Sequence, residues 1–434
     1  MRLLFLTPAF PPFTGGGERY AQALALALAG RGHPVTIISS QARSERDFWE
    51  REPRSVPAGP SVEQREPLTV IRCPLRPLPG GQAALLLWRK AMVLLSLLPG
   101  DQSRWLLPMA RYIPPITHLA QVLDGIPPNF DLVHGFNLSW EHTLVAGRRF
   151  AARHRLPYVI TPFAHFGESS SPGSGRRGRR SQRVARNATM DHQRWLLESA
   201  AAVLALTQVE EKGFQAWNIH PTRVGVVGGG LDPVENVAEP GPLLARHRLQ
   251  TPFAIFVGRI NYDKGAIHAA EAIRRLRQTG VPLPLALVGR QTEQFRHYYQ
   301  QLPAADRALI RPLGSLDDAE KHALLQEATM LLLPSRADSF GIVLLEAWFH
   351  GTPVVGARAG GIATVIDDEE DGLLIPFGDV GALAHAIQRL LADPAYARRL
   401  GRQGQKKVRQ TYTWERVADR VLDHYRALLP AGEG

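Results

Sequence analysis

The 434-residue chain is poor in the features that announce many kinds of chemistry. It has one cysteine, Cys73, so no internal disulfide can form; with no activating motif around it, Cys73 reads as a core filler in a reducing compartment. The fifteen histidines show no H-x-x-x-H or H-E-x-x-H spacing with acidic partners, and there is no cysteine pair, so no metal site is expected. D-x-D, G-x-S-x-G and P-loop lysine patterns are also missing. Long apolar runs are scarce. The richest, Ala83 to Leu98, is interrupted by Arg89 and Lys90 and falls short of the roughly 20 apolar residues a bilayer span requires. Two readings of it stay open: an amphipathic helix lying on a membrane, or packing against the core or an acceptor pocket. The N-terminus, Met1 to Pro8, lacks a signal-peptide core and cleavage site and reads as a first strand, so a cytoplasmic location is expected. Negative charge is in deficit, 40 acidic against 51 basic residues, for a net charge of +11. That excess suits a polyphosphate or an anionic lipid surface; no nucleic-acid motif accompanies it, and no nucleic-acid partner is expected.

What is present is ordinary globular composition, 44% hydrophobic and 21% charged, and enough length for two domains. Leu3–Thr7, a Pro- and Gly-rich loop, a helix from Glu18 to Ala29 and Val35–Ser39 form a strand–helix–strand unit. Gly15-Gly-Gly17 opens its helix, where close backbone approach of a ligand is expected; Tyr20 stands where a dinucleotide fingerprint needs its third glycine. Leu68–Cys73, Asp131–His134 and Tyr158–Thr161 read as strands. The last leads into a loop carrying His165. Residues 168–187 are Ser- and Gly-rich, then Arg-rich, and read as a loop that could clamp a polyphosphate, touch lipid, or be simply solvated. Val234 to His247 looks like a linker, and places the expected domains at 1–235, 236–411 and a last helix at 412–434.

The second half alternates again, starting at Phe253–Val257. Arg259 and Lys264 share the loop that follows, between Gly258 and Gly265. A guanidinium and an ammonium there can hold a diphosphate and stabilise its charge as it leaves. The most informative stretch is Arg336 to Val355. Ser339 is expected to cap a helix starting near Phe340 and stopping at Gly351. Free amides at such a helix start attract phosphate. Asp338 and Glu346 flank it as hydroxyl acceptors. Gly360-Gly361, opening another helix, is a second phosphate cradle. Phosphate and polyol recognition side by side indicates a nucleotide sugar.

Together these residues resemble glycosyltransferase family 4. The likeness is strongest in Val257-Gly-Arg259, Lys264-Gly265, Val288-Gly289, Pro334 to Asp338, Phe340-Gly341, Leu345-Glu-Ala347, Gly351 to Val355, Gly360-Gly361 and Asp371 to Leu374. Gly15 to Glu18, His165, Leu206 to Glu210 and Tyr412-Thr-Trp414 match less specifically. The resemblance implies an α/β GT-B fold: two Rossmann-like doubly wound domains facing a cleft, with the C-terminal helix returning to the first. It implies retaining transfer of a sugar from a nucleoside-diphosphate sugar, a co-substrate rather than a cofactor, without an obligatory metal. By position, Arg259 and Lys264 would bind the diphosphate, Glu346 the ribose, and Asp338 the donor sugar. Backbone around Gly258, Gly289, Phe340, Gly341, Ile342, Gly360 and Gly361 would support the donor. Gly16 and Gly17 would approach donor phosphate or acceptor, and His165 the transferred sugar. A sugar, lipid-linked or polysaccharide acceptor is implied. The chain departs from the pattern at Asp338, where glutamate is usual, and at Gly228-Gly-Gly-Leu-Asp232, where Asn-Gly-Val-Asp is frequent. The alternatives are a non-transferring sugar-nucleotide enzyme, such as an epimerase or phosphorylase, and a nucleotide-sugar-binding scaffold with little turnover.

Overall fold

A computed structural model describes residues 1–13, 15–50, 59–164, 190–216, 224–231, 234, 236–336 and 338–429. His165 and the Arg-rich stretch 168–187 lie outside the described residues. The chain divides into two compact units. One is built on residues up to Gly228 together with the chain from Val417 onward, the other on Gly229–Arg416.

The first unit holds eight strands: β1 (Leu3–Leu6), β2 (Val35–Ser40), β3 (Ser61–Arg65), β4 (Leu68–Cys73), β5 (Leu132–Phe136), β6 (Tyr158–Thr161), β7 (Ala202–Ala205) and β8 (Val224–Val226). Their order is β3-β4-β2-β1-β5-β6-β7-β8, parallel except for the β3–β4 pair. The central strands are buried because helices cover both faces; Leu3 to Leu6, on β1, are apolar and wholly buried. The final helix, Trp414–Arg426, contributes Tyr425, whose hydroxyl lies 2.5 Å from His134 Nδ1 on β5, and Arg420, which donates to the Val227 carbonyl at 2.8 Å.

The second unit holds β9 (Ala254–Val257), β10 (Leu285–Val288), β11 (Ile310–Gly314), β12 (Met330–Leu333), β13 (Val354–Ala357) and β14 (Gly372–Ile375). All are parallel, in the order β11-β10-β9-β12-β13-β14. In each sheet the winding direction reverses once, between β1 and β5 and between β9 and β12. Open α/β sheets take ligands at the carboxyl ends of the strands beside that switch point.

Three expectations change. The segment read as a linker contains a helix, Pro240–Arg246, and the two units divide at Gly228, before it. The polar strand β3 lies within Arg43–Gly81, a Pro- and Arg-rich stretch whose sequence reads as a loop with one short strand, Leu68–Cys73. The helix after β12 starts at Ile342, not near Phe340, and its cap is Gly341 in the left-handed region (φ 86°) with no side-chain cap. Ser339 therefore does not cap it. The loop bends on through Ser339 and Phe340, and only a residue that accepts positive φ can turn it into the helix.

Candidate functional site

The loops after β9 and β12 meet at the switch point of the second sheet. In the first loop, Asn261 Oδ1 accepts the Lys264 amide at 2.8 Å, and the Gly265 amide donates to the Tyr262 carbonyl at 2.9 Å. This compact turn presents Lys264 and ends at Gly265, which opens the Ala266–Gln278 helix with φ 83°. A Cβ on Gly265 would overlap the Pro334 carbonyl. The glycine is thus demanded twice, by conformation and by the close approach of the second loop. Gly289, after β10, is placed likewise: its φ is 135° and a Cβ would overlap the Gly258 carbonyl.

The second loop is stitched to the first. The Arg336 amide donates to the Asp263 carbonyl at 2.8 Å, and the Arg336 guanidinium pairs with the Asp263 carboxylate at 2.7 Å. Lys264 Nζ forms an ion pair with Asp338 Oδ1. The other carboxylate oxygen of Asp338, Oδ2, is buried and has no hydrogen-bond partner among the described residues. An ionised oxygen left that way is costly unless a donor arrives. Arg259 is exposed and forms no ion pair among the described residues. The site therefore holds one cation already paired, one unpaired, and one carboxylate oxygen lacking a donor.

The third loop, after β13, joins through its backbone. The Gly361 amide donates to the Asp338 carbonyl at 2.8 Å, and a Cβ on Gly361 would overlap the Ser339 carbonyl. This narrows the reading of Gly360-Gly361 as a phosphate cradle, since one of its two glycine amides is already bonded. The Gly361 amide is spent on the neighbouring loop, and the helix that follows, Ile362–Val365, has only four residues. Gly361 shapes the site by letting two loops touch, not by donating to a ligand.

The Ile342–Phe349 helix carries the second carboxylate. Its first two amides, at Ile342 and Val343, have no acceptor within the helix, whereas the Leu344 amide donates to the Gly341 carbonyl at 2.9 Å. Glu346 is 8% exposed, and its Oε1 lies 2.7 Å from Lys321 Nζ. Lys321 stands on the Asp318–Glu327 helix, is 8% exposed, and also meets Asp318 Oδ1 at 2.8 Å. Lys321 escaped the sequence reading because only tertiary packing brings it to Glu346. Phe340 is buried against Gly229, where a Cβ would stand 2.9 Å from its ring, and Gly230 faces Trp414 in the same way at 2.8 Å. These two contacts explain small residues at the point of departure noted above.

In the first unit, Gly15 caps the Gly16–Ala29 helix after β1. Gly17 lies under the Phe163 ring, 3.0 Å from where its Cβ would be, whereas a Cβ on Gly16 would meet nothing within 4 Å. Glu18, in the first turn, is pushed up to about 7 by burial. Glu210 is fully buried and was not singled out from the sequence. Its two oxygens accept the Ala164 amide at 2.6 Å and the Leu206 amide at 2.7 Å. Burial pushes its carboxyl up to about 8, against the pull of those two bonds. Glu210 thus fixes the loop as far as Ala164, the residue before His165. Cys73 is buried, its thiol pushed up to about 12, as befits an inert core group.

The chain is similar to known proteins along nearly its whole length. The profile of the glycosyl transferases group 1 matches residues 245–407, and that of the glycosyl transferase 4-like domain matches residues 15–230. Glycogen synthase of Mycobacterium tuberculosis is 28% identical over 432 residues, covering 98% of this chain and 95% of the relative. Alpha-maltose-1-phosphate synthase of Mycolicibacterium smegmatis is 31% identical over 303 residues, covering 66% and 76%. Among solved structures, Anabaena HepE in complex with UDP superimposes with a TM-score of 0.67 at 18% identity, covering 99% of this chain and 100% of that one. The fold, the two profiles and these relatives agree: the chain belongs to the family 4-like glycosyltransferases of GT-B fold.

Proposed function

We propose that this glycosyltransferase moves a sugar from a nucleoside-diphosphate sugar to an acceptor hydroxyl with retention at the anomeric carbon. The observation that supports the reading is the β9–β12 switch point, where Lys264 pairs with Asp338, the other Asp338 oxygen lacks a donor among the described residues, and the exposed Arg259 shares the loop of Lys264. Arg259, Lys264 and the Ile342 amide suit the diphosphate. Glu346 suits the ribose hydroxyls, with Lys321 holding the carboxylate in place. Asp338 Oδ2 suits a hydroxyl of the donor sugar. His165 and Gly16 are assigned by family likeness to the sugar and to a close backbone approach.

In the step itself the bond between the anomeric carbon and the diphosphate oxygen breaks, and one to the acceptor oxygen forms on the same face. The acceptor proton passes to the leaving phosphate oxygen, so no side chain need serve as covalent nucleophile. Lys264 and Arg259 stabilise charge that grows on the diphosphate, an effect worth roughly 3–4 kcal/mol for one preorganised donor. A uridine nucleotide is the first donor to try, because HepE is held in complex with UDP. The acceptor class fits glycolipid, cell-envelope or polysaccharide synthesis, in line with the positive charge and with relatives named for glycogen and maltose-1-phosphate synthesis. Anomeric configuration of the product, followed by proton NMR from the first turnovers, tests the mechanism. A retained configuration is expected, and an inverted one overturns it.

A further inference from the structure

An apolar helix normally hides its apolar side. The Gly81–Ser96 helix does so only in part. Its inner side packs on the Ser103–Ala110 helix and the core through Met92 and Ser96, with Trp88 Nε1 donating to the Met109 carbonyl at 3.1 Å and Arg89 reaching the buried Glu141. Its outer side carries Ala83, Leu86, Leu87, Lys90, Ala91 and Leu94, at the three- and four-residue spacing of one helix face. Leu87 and Leu94 are 65% and 64% exposed and Leu86 56%; Leu97 and Leu98 continue the stripe, and Trp105 on the next helix is 55% exposed. Six of the ten large apolar side chains exposed among the described residues fall between Leu86 and Trp105. Isolated exposed leucines need no explanation, but a clustered set of this kind marks an interaction surface.

The charge around it is one-sided. From Pro67 to Leu123 the only acidic residue is Asp101; of the basic residues there, Arg72 is buried and paired with Glu63 and Arg89 is paired with Glu141, which leaves Arg76, Lys90, Arg104 and Arg111 exposed. Asp101 is occupied by the Ser103 amide and hydroxyl at 2.8 and 2.6 Å. Lys90, in the middle of the leucines, and Arg104, which lies 4.9 Å over the Trp105 ring, form no ion pair among the described residues. A second copy of this chain would have to bury those cations against identical ones. A bilayer with anionic headgroups would instead take the leucines into its acyl boundary, Trp105 at the interface, and the cations at the phosphates.

We propose that the outer face of the Gly81–Ser96 and Ser103–Ala110 helices is a docking surface for an anionic lipid bilayer, peripheral and reversible. The surface brings the enzyme to a membrane and belongs to the first unit, whereas the donor site is built on residues of the second, so it stands or falls without the donor reading. No helix among the described residues is long and apolar enough to cross a membrane.

The test is flotation of the full chain with vesicles of phosphatidylcholine alone and of phosphatidylcholine with phosphatidylglycerol. Leu86→Gln/Leu87→Gln/Leu94→Gln removes the apolar stripe, and Lys90→Glu/Arg104→Glu reverses the charge. All five positions are exposed, so melting temperature and the thermal shift given by UDP should match wild type and certify the fold. Expected are binding of the wild type to the anionic vesicles only, and a loss of at least tenfold in each variant. Equal binding to neutral vesicles, no binding, or wild-type binding by the triple variant overturns the proposal. So does concentration-dependent dimerisation of the wild type that the triple variant abolishes, since the face would then belong to a second copy. Absence of a UDP shift in every protein would count against the donor reading alone.

Discussion

Gly16→Ala separates a glycine needed by the fold from one needed by a ligand. Gly16 is the first residue of its helix, lies outside the positive-φ region, and has no heavy atom within 4 Å of where a Cβ would sit. The fold alone gives no reason for glycine there. Alanine should even favour the helix, by up to about 1 kcal/mol. If a phosphate or sugar oxygen rests against this backbone, however, the new methyl displaces it by about 1 Å. Misplacement of that size costs about 10²-fold in rate, which corresponds to about 2.7 kcal/mol at about 1.36 kcal/mol per tenfold. The expected result is an unchanged or raised melting temperature with kcat/KM reduced about a hundredfold. Gly361→Ala is the contrast, because its Cβ would overlap the Ser339 carbonyl and break the Gly361–Asp338 hydrogen bond. There stability and activity should fall together, by about 1–3 kcal/mol in stability as overpacking does. Wild-type kcat/KM in Gly16→Ala refutes close ligand approach at this helix, and a lowered melting temperature refutes the open space around it.

Lys321→Met should cost about 3 kcal/mol, since it leaves Glu346 buried without its cation, and Lys321→Met/Glu346→Gln should recover most of that loss. Denaturation of the two variants checks it; equal instability would mean that packing, not charge, is at stake. Stability of the first unit should depend on pH in a defined way. Glu18 and Glu210, raised by burial to about 7 and about 8, hold their protons more tightly folded than unfolded, so stability falls as pH rises from 4.5 through those values. His134, lowered by burial to about 3, acts oppositely, and stability is lost as pH falls from 6.5 towards that value. The three together predict a maximum near pH 4.5, where the half-developed slopes of the two glutamates cancel that of His134. Glu210→Gln, which turns an amide NH₂ towards one of two backbone donors, should lower the melting temperature and flatten the alkaline slope. An unchanged alkaline slope would show that Glu210 is not the group titrating.

Much of the second unit was legible because its strands are buried on both faces. Phe253–Val257 and Met330–Leu333 are continuous apolar runs, and the chemistry-bearing loops follow them directly. Strand β3 was not legible: its outer face is exposed and its sequence, Ser-Val-Glu-Gln-Arg, has little strand character away from its antiparallel partner β4. Lys264 and Asp338 were each marked by their loops, but their ion pair spans 74 residues and exists only once β9 and β12 lie side by side. Gly361 shows the limit of motif reasoning. A glycine pair before a helix looks the same whether its amide awaits a phosphate or a neighbouring carbonyl. The leucines from Leu86 to Leu98 were visible as an apolar run, but which of them face outward depends on where the Ser103–Ala110 helix packs.

The most direct test of the donor site is a thermal-shift screen of UDP-, GDP- and ADP-sugars against wild type and Lys264→Ala. One donor should raise the wild-type melting temperature, by an amount that grows with donor concentration, and leave Lys264→Ala nearly unmoved. A donor that stabilises both proteins equally would contradict the assignment of the diphosphate to Lys264 and the β9–β12 switch point.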